Sequence, residues 1–253
     1  MELNLVKHLP KQLFVKYGEE TGLYIVPEKS LGVLGEKDFH SQYPNGHQVE
    51  YSVFMLECVM EIHNGISGDR IVYKVNLDSE THLSILETRH AKDLYQLIDE
   101  SRESIGKWLS FPEKTNKVED TEIFIEKSLK RYSENNGYWA GIWHNGTIAG
   151  SIGFLYIDWS ARKTEIGYWL GDQFLGKGLA TKAVKQLIDH SFTELDLRKV
   201  EIGVASNNIK SRAIPERLGF TQEGTIRNYE FLQGEYHDRV IYGLLKEEWN
   251  SKI

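Results

Sequence analysis

The stretch GDQFLGKGLATKAVKQLIDHSF, Gly171 to Phe192, places Gly176 and Gly178 one residue apart where a polar turn becomes a helix. Beyond them Leu179, Ala180, Ala183, Val184, Leu187, Ile188 and Phe192 recur at helical spacing, which predicts one face buried against a neighbouring layer. Glycines at such a junction suit a bound anion. The first backbone N–H groups of a helix have no intrahelical partner and carry partial positive charge, and a missing side chain lets phosphate oxygens approach them. The plain alternative is a tight turn that binds nothing.

Flanking residues separate the phosphate ligands that use this device. A dinucleotide site needs G-x-G-x-x-G after the first strand of its domain; here Thr181 holds the third position and several strands come earlier. Gly171-x-x-x-x-Gly176-Lys177 approaches a nucleoside-triphosphate loop, but Gly178 stands where a Ser or Thr hydroxyl must reach Mg²⁺. The following strand, KVEIGVA, ends in Ala205 and supplies no metal-binding Asp. A third ligand that uses this device, the pyrophosphate of coenzyme A, and a turn that binds nothing both stay open on these residues.

Working outward, strand and helix patterns alternate from about Ile71 onward, the order of an α/β (α+β) architecture. ETRHAKDLYQLIDESRESIGKWL reads as one helix ending near Trp108, and TEIFIEKSLKRYSENNG as a second, stopped by Asn135-Asn136-Gly137. GYWAGIWHNGTIAGSIGFLYID alternates apolar residues on both sides of Asn145-Gly146, a pair suited to a type I′ hairpin turn. Thr164 to Leu170 and RKVEIGVA are strands on either side of the quoted helix. IKSRAIPERLGF is a short helix stopped at Gly219, and Pro215 inside it predicts a kink or an irregular start. EFLQGEYHDRVIYGLLKEEW gives two antiparallel strands joined through Gln233-Gly234.

Residues 1–70 form a separate expectation, an accessory segment that packs on the main domain of residues 71–253 or makes a homodimer contact. Its runs KQLFVKYG, GLYIVPEKSLGVLG and VEYSVFMLECVMEIHNG have strand or helix patterns, interrupted by the polar turn HSQYPNGHQ. The net charge of −7 divides into −4 for residues 1–70 (6 Lys/Arg against 10 Asp/Glu) and −3 for the remainder. An acidic chain disfavours direct nucleic-acid binding and accommodates a basic substrate. The one cysteine, Cys58, lies in an apolar run, where it reads as a buried small side chain, and one cysteine forms no intramolecular disulfide. With no apolar run long enough to span a bilayer and no hydrophobic signal core in MELNLVKHLPKQ, the expected setting is the cytoplasm, away from membranes. Nine histidines include no H-x-H or H-x-x-x-H pair, and the cluster Tyr236-His237-Asp238 lacks a further ligand, so no metal is expected.

Gln173-Phe174-Leu175-Gly176-Lys177-Gly178 matches the Q/R-x-x-G-x-G/A signature of the GNAT N-acetyltransferases at every specified position. With Asn208-x-x-Ser211, Leu218-Gly219-Phe220 and GEYHDRVIYGLLKEEW, residues 71–253 resemble the branch of ribosomal-protein-alanine acetyltransferase-like (RimJ/RimL-type) enzymes. The resemblance implies the GNAT fold, a mixed central sheet flanked by helices, and transfer of acetyl from acetyl-CoA to a primary amine. That amine is a protein N-terminus, a polyamine-like metabolite or an aminoglycoside-type antibiotic; a non-catalytic acyl-CoA-binding module is the rival.

The resemblance also assigns roles. The backbone of Phe174, Leu175, Gly176, Lys177, Gly178, Leu179, Ala180 and Thr181 would hold the pyrophosphate, and an N–H at Trp169 or Leu170 the oxyanion. Ammonium groups with pKa about 8 (α-amine) or 10.4 (lysine) must lose a proton before attack. Glu230, Glu165 or a water chain is the base. Ser211 would protonate the departing thiolate, and Asn208 would cap its helix or bind the pantetheine arm. Trp108 lines the amine pocket or belongs to the core.

Overall fold

The computed structural model describes residues 14–18, 22–26 and 74–250. Two short strands, β1 (Phe14–Gly18) and β2 (Gly22–Val26), pair antiparallel as a hairpin, in agreement with the two earliest strand patterns. Cys58, HSQYPNGHQ and VEYSVFMLECVMEIHNG lie outside the described residues.

The remaining strands form one sheet. In chain order they are β3 (Lys74–Asn76), β4 (Thr81–Ile85), β5 (Trp139–His144), β6 (Thr147–Asp158), β7 (Lys163–Leu170), β8 (Lys199–Ala205), β9 (Thr221–Leu232) and β10 (Glu235–Leu245). Their order across the sheet is β3-β4-β5-β6-β7-β8-β10-β9. Each neighbour is antiparallel except β7 with β8. Parallel neighbours need a crossover, and α4 (Leu179–Thr193), the helix of the quoted stretch, provides it. The apolar face read from sequence is its buried face: Leu179, Ala180, Ala183, Val184, Leu187, Ile188 and Phe192 are all enclosed.

Both sheet faces are covered near the middle. The remaining helices are α1 (Ala91–Glu100), α2 (Arg102–Gly106), α3 (Val118–Ser133), α5 (Ile209–Leu218) and α6 (Lys246–Asn250). Side chains alternate between faces along a strand. Phe154 on β6 stacks on His190 of α4 and Tyr168 on β7 bonds to α5, so these define one face. Trp139 meets Phe124 of α3, and Trp169 meets Phe111 of the turn after α2, on the other.

The single helix expected up to Trp108 is broken at Ser101, whose backbone leaves the helical region (φ −116°, ψ 15°). Its hydroxyl accepts a hydrogen bond from the Asp172 N–H (3.0 Å), which ties the helix pair to the loop after β7. Pro215 does not break its helix: α5 runs continuously from Ile209 to Leu218 with the proline buried inside it.

One irregularity shapes the sheet. The β6–β7 register passes from Phe154↔Ile166 to Tyr156↔Glu165, so Leu155 is an extra residue. A bulge of this kind bends the strand pair. It lies where the parallel pairing ends: β7 meets β8 at Lys163↔Lys199, Thr164↔Val200 and Glu165↔Glu201, and no further. Beyond it β7 stays with β6 as far as Gly150↔Leu170, and β8 stays with β10 as far as Ala205↔Arg239. A wedge therefore opens between residues 166–170 and 202–205.

His190 packs against the rings of Phe154 and Tyr138, and its burial lowers its pKa from 6.5 to about 4; burial also lowers His82 and His90. A depressed histidine pKa favours the neutral form in the fold. The associated stability is therefore whole above pH 6.5 and is lost as pH falls toward about 4. For His190 it amounts to at most about 3 kcal/mol. Urea unfolding of the wild type should show a falling midpoint across that window, and His190→Phe should flatten the fall, leaving the part due to His82, His90 and the carboxylates of Glu201 and Glu247, which are held below their ordinary range. An equally steep fall in the variant would remove His190 as its cause.

Candidate functional site

The wedge meets the N-terminus of α4 at its open end. Gly176 and Gly178 have φ of +76° and +75°, and a Cβ at either would meet no atom within 4 Å. Backbone conformation, not crowding by the protein, thus requires glycine, because a side chain in the left-handed region costs about 1–2 kcal/mol. Gly178 is the N-cap, no side chain caps the helix, and its first turn contains no acidic residue. The first N–H groups of α4 are left for an anion.

The residues assigned to this loop divide into supports and surface. Phe174, Leu179 and Ala180 are buried and anchor it, whereas Leu175, Gly176, Lys177 and Gly178 are exposed. The Lys177 ammonium stands 5.4 Å over the Phe174 ring. Thr181 receives a hydrogen bond from Arg217 of α5 (3.0 Å), bringing a second cation to the helix start. Sequence reasoning missed Arg217, which is 36 residues away and belongs to no local motif.

One wall of the wedge brings Ser211, Asn208 and Tyr168 together. Asn208 caps α5 by accepting a hydrogen bond from the Ser211 N–H (3.2 Å). Pro215 has no N–H to give to the carbonyl four residues back, which is that of Ser211. The Tyr168 hydroxyl crosses from β7 and donates to that carbonyl (3.2 Å). The Ser211 hydroxyl in turn donates to the Tyr168 oxygen (3.2 Å). Burial pushes the Tyr168 phenol up to about 12, so it stays protonated at neutral pH. The proline that looked like a helix fault frees the acceptor that docks Ser211 on the wedge. Tyr168 was legible only as an alternate position in TEIGYWL.

The opposite face carries the carboxylates. Glu165, the last β7 residue paired to β8, forms an ion pair with Arg239 of β10, and both are mostly enclosed, at 17% and 15% exposure. Glu230 on β9 lies opposite His237 on β10, and the Trp108 ring meets the His237 ring edge-on at 6.1 Å. Trp108 thus stands over the strand pair that carries Glu230. Among the described residues, no hydrogen bond or ion pair engages the Glu230 carboxylate. Trp169 and Leu170 lie on β7 beyond its last pair with β8, with their β6 edge taken by Ser151 and Gly150.

The Tyr236-His237-Asp238 cluster has other duties. Tyr236 packs on Phe231 at 4.9 Å, His237 on Trp108, and the Asp238 carboxylate accepts from the Asn228 N–H (2.9 Å). No group of three or more His, Cys, Asp or Glu side chains suited to a metal occurs among the described residues. Nor is any described helix long and apolar enough to cross a membrane.

Comparison with known proteins agrees with this geometry. Residues 82–221 match the family model of the acetyltransferase (GNAT) domain. The chain is 37% identical over 182 residues to the putative ribosomal N-acetyltransferase YdaF of Bacillus subtilis, covering 72% of this chain and all of that relative. The crystal structure of a probable acetyltransferase superposes with a TM-score of 0.68 at 38% identity, over 70% of this chain and 99% of the other. The microcin C7 self-immunity acetyltransferase MccE, solved with acetyl-CoA and AMP, superposes with a TM-score of 0.64 at 31% identity, over 68% of this chain and 95% of its own. With a family model spanning more than half its length and a relative matched from end to end, the chain belongs to the GNAT acetyltransferase family.

Proposed function

We propose that this chain transfers an acetyl group from acetyl-CoA to a primary amine, and that the acceptor is the α-amino group of a protein N-terminus. The observation that carries the reading is the wedge between β7 and β8, which runs from the uncapped start of α4 toward the face bearing Glu230. The likeness to a relative named as a putative ribosomal N-acetyltransferase supports the acceptor class. Ribosomal proteins would be met in the cytoplasm, and the acidic chain disfavours nucleic acid as the ligand.

Acetyl-CoA supplies a thioester, whose C–S bond breaks as the N–C bond forms. The N–H groups from Gly176 to Thr181 hold the pyrophosphate, with Lys177 and Arg217 adding positive charge. Alternate N–H groups of β7 face opposite edges, and that of Gly171 goes to Ala149 on the β6 side, so at the open edge Leu170, not Trp169, offers its N–H to the oxyanion. Glu230 removes a proton from the attacking ammonium, while Glu165, held by Arg239, is the weaker candidate because that ion pair occupies it. Ser211 gives the thiolate a proton from a hydroxyl oriented by Tyr168 and regains one from the second proton that the acylated nitrogen sheds.

A second acceptor class, a small polycationic amine, is favoured by a cleft beside Gln233 lined by Asp99, Glu100, Glu103 and Glu113. Its one cation, Arg102, is engaged by Asp99 and by the Thr115 carbonyl.

Acetyl-CoA turnover with short peptides bearing free N-terminal Ser or Ala, and with spermidine, tests the acceptor. Preferred acetylation of peptides supports the proposal; preference for spermidine supports the second class; tight acetyl-CoA binding with no transfer to any amine would mean a binding module. Glu230→Gln should lower kcat about 10²- to 10⁴-fold, and the same loss in Glu165→Gln alone would exchange their roles. Ser211→Ala should reduce turnover more than acetyl-CoA affinity, and unchanged turnover would eliminate it as the acid. Gly178→Val forces a side chain into left-handed backbone or moves the loop, so calorimetry should find acetyl-CoA bound roughly tenfold more weakly. Undiminished binding would show that the glycine loop is not the pyrophosphate site.

A further inference from the structure

Arg239 takes an unusual course. It leaves β10 opposite Ala205, passes over Gly203 on β8 and reaches Glu165 on β7. A Cβ at Gly203 would run into the guanidinium, so the missing side chain makes the groove in which Arg239 lies. The side chain thereby spans the line along which β7 and β8 part, and it ends on the last paired residue of β7.

The other side of the same guanidinium faces β9. Its central carbon is 4.7 Å from the centre of the Tyr229 ring. Tyr229 ends an irregular segment: between Ile226↔Arg239 and Glu230↔His237, three β9 residues oppose Asp238 alone. Within that bulge Asn228 adopts φ 49° and donates its N–H to the Asp238 carboxylate (2.9 Å). The Asp238 carbonyl accepts from Ser206, just past the end of β8 (2.8 Å). Glu230 follows directly. Because β9 is an edge strand, β10 is its one neighbour in the sheet. The stack of Tyr229 on Arg239 is a second hold on the segment that presents Glu230.

We infer that Arg239 is a positioning residue for the acceptor side, joining Glu165 at the head of the wedge to the β9 bulge and so fixing where Glu230 stands relative to the opened strands. The inference rests on the acetyl-transfer reading for its effect on rate, but the fastening itself does not. Arginine suits the place because its planar head can pair with a carboxylate and stack on a ring at once, which a lysine ammonium cannot reproduce. The pair also keeps Glu165 occupied. Besides Arg239, the Tyr156 phenol on β6 feels the Glu165 charge, while Tyr156, Lys163 and Lys199 are themselves bonded to Glu201, the β8 residue paired with Glu165.

The test uses the full chain with Arg239→Gln, Arg239→Lys and Gly203→Ala, the last displacing the guanidinium without altering charge. Amide exchange is followed across residues 226–231, and steady-state kinetics are measured with the amine that the wild type acetylates. Arg239→Gln and Gly203→Ala should speed exchange at 226–231 while leaving α4 unchanged. Both should lower kcat with that amine about ten- to a hundredfold. Acetyl-CoA affinity should stay within about twofold, because the glycine loop is untouched. Arg239→Lys should recover part of the rate without restoring the slow exchange. Unchanged exchange at 226–231 in folded Arg239→Gln would overturn the fastening, and acetyl-CoA affinity falling in step with kcat would overturn the acceptor-side role. A wild type that binds acetyl-CoA yet acetylates no amine would sink the transfer reading instead, and the exchange data would still decide the fastening.

Discussion

Two strands that share hydrogen bonds for three residues and then part leave backbone N–H and C=O groups inside a sheet without a strand to take them. Here the parting follows Glu165↔Glu201, at the extra residue Leu155. Since β6 and β10 keep their own partners beyond that point, the two halves of the sheet remain intact and the gap between them is built in. An extended ligand with amides of its own is the natural occupant of such a gap. The position of α4 follows from the same break, because a parallel crossover returns the chain to β8 and leaves the helix start at the open end.

Proline 215 and tyrosine 168 show how an apparent local defect is resolved across elements. In isolation a proline seven residues into a helix removes a backbone hydrogen bond, and local propensity favours a break. The break does not occur because Tyr168 fills the vacated carbonyl of Ser211, at the cost of crossing from β7 to α5. That contact fixes the helix against the sheet and sets the Ser211 hydroxyl beside a phenol that burial keeps protonated. Packing and proton chemistry thus depend on one pair of hydrogen bonds.

The helix of the quoted stretch was legible because its signals are local: two glycines, a 3.6-residue period and a crossover between strand patterns. Asn208 capping and the Gln233-Gly234 turn were legible for the same reason. The break at Ser101 was not, since its hydroxyl is committed to Asp172, 71 residues later. Leu155 looked like an ordinary strand residue, and its surplus position became visible only in the register with β7. Likewise the ion pair that separates the surroundings of Glu165 from those of Glu230 left no local signal, because its arginine comes 74 residues after Glu165.

That distinction is electrostatic. A general base must be able to accept a proton, and a carboxylate in a mostly enclosed ion pair would have to give up its partner's stabilisation to do so. Glu230 has no such partner among the described residues, stands on an edge strand, and faces His237 beneath Trp108. In the proposed reaction the two similar side chains thus take different duties: Glu165 pairs with a cation at the head of the wedge, and Glu230 is the base. What links the duties is the guanidinium of Arg239, which neutralises the first and supports the strand of the second.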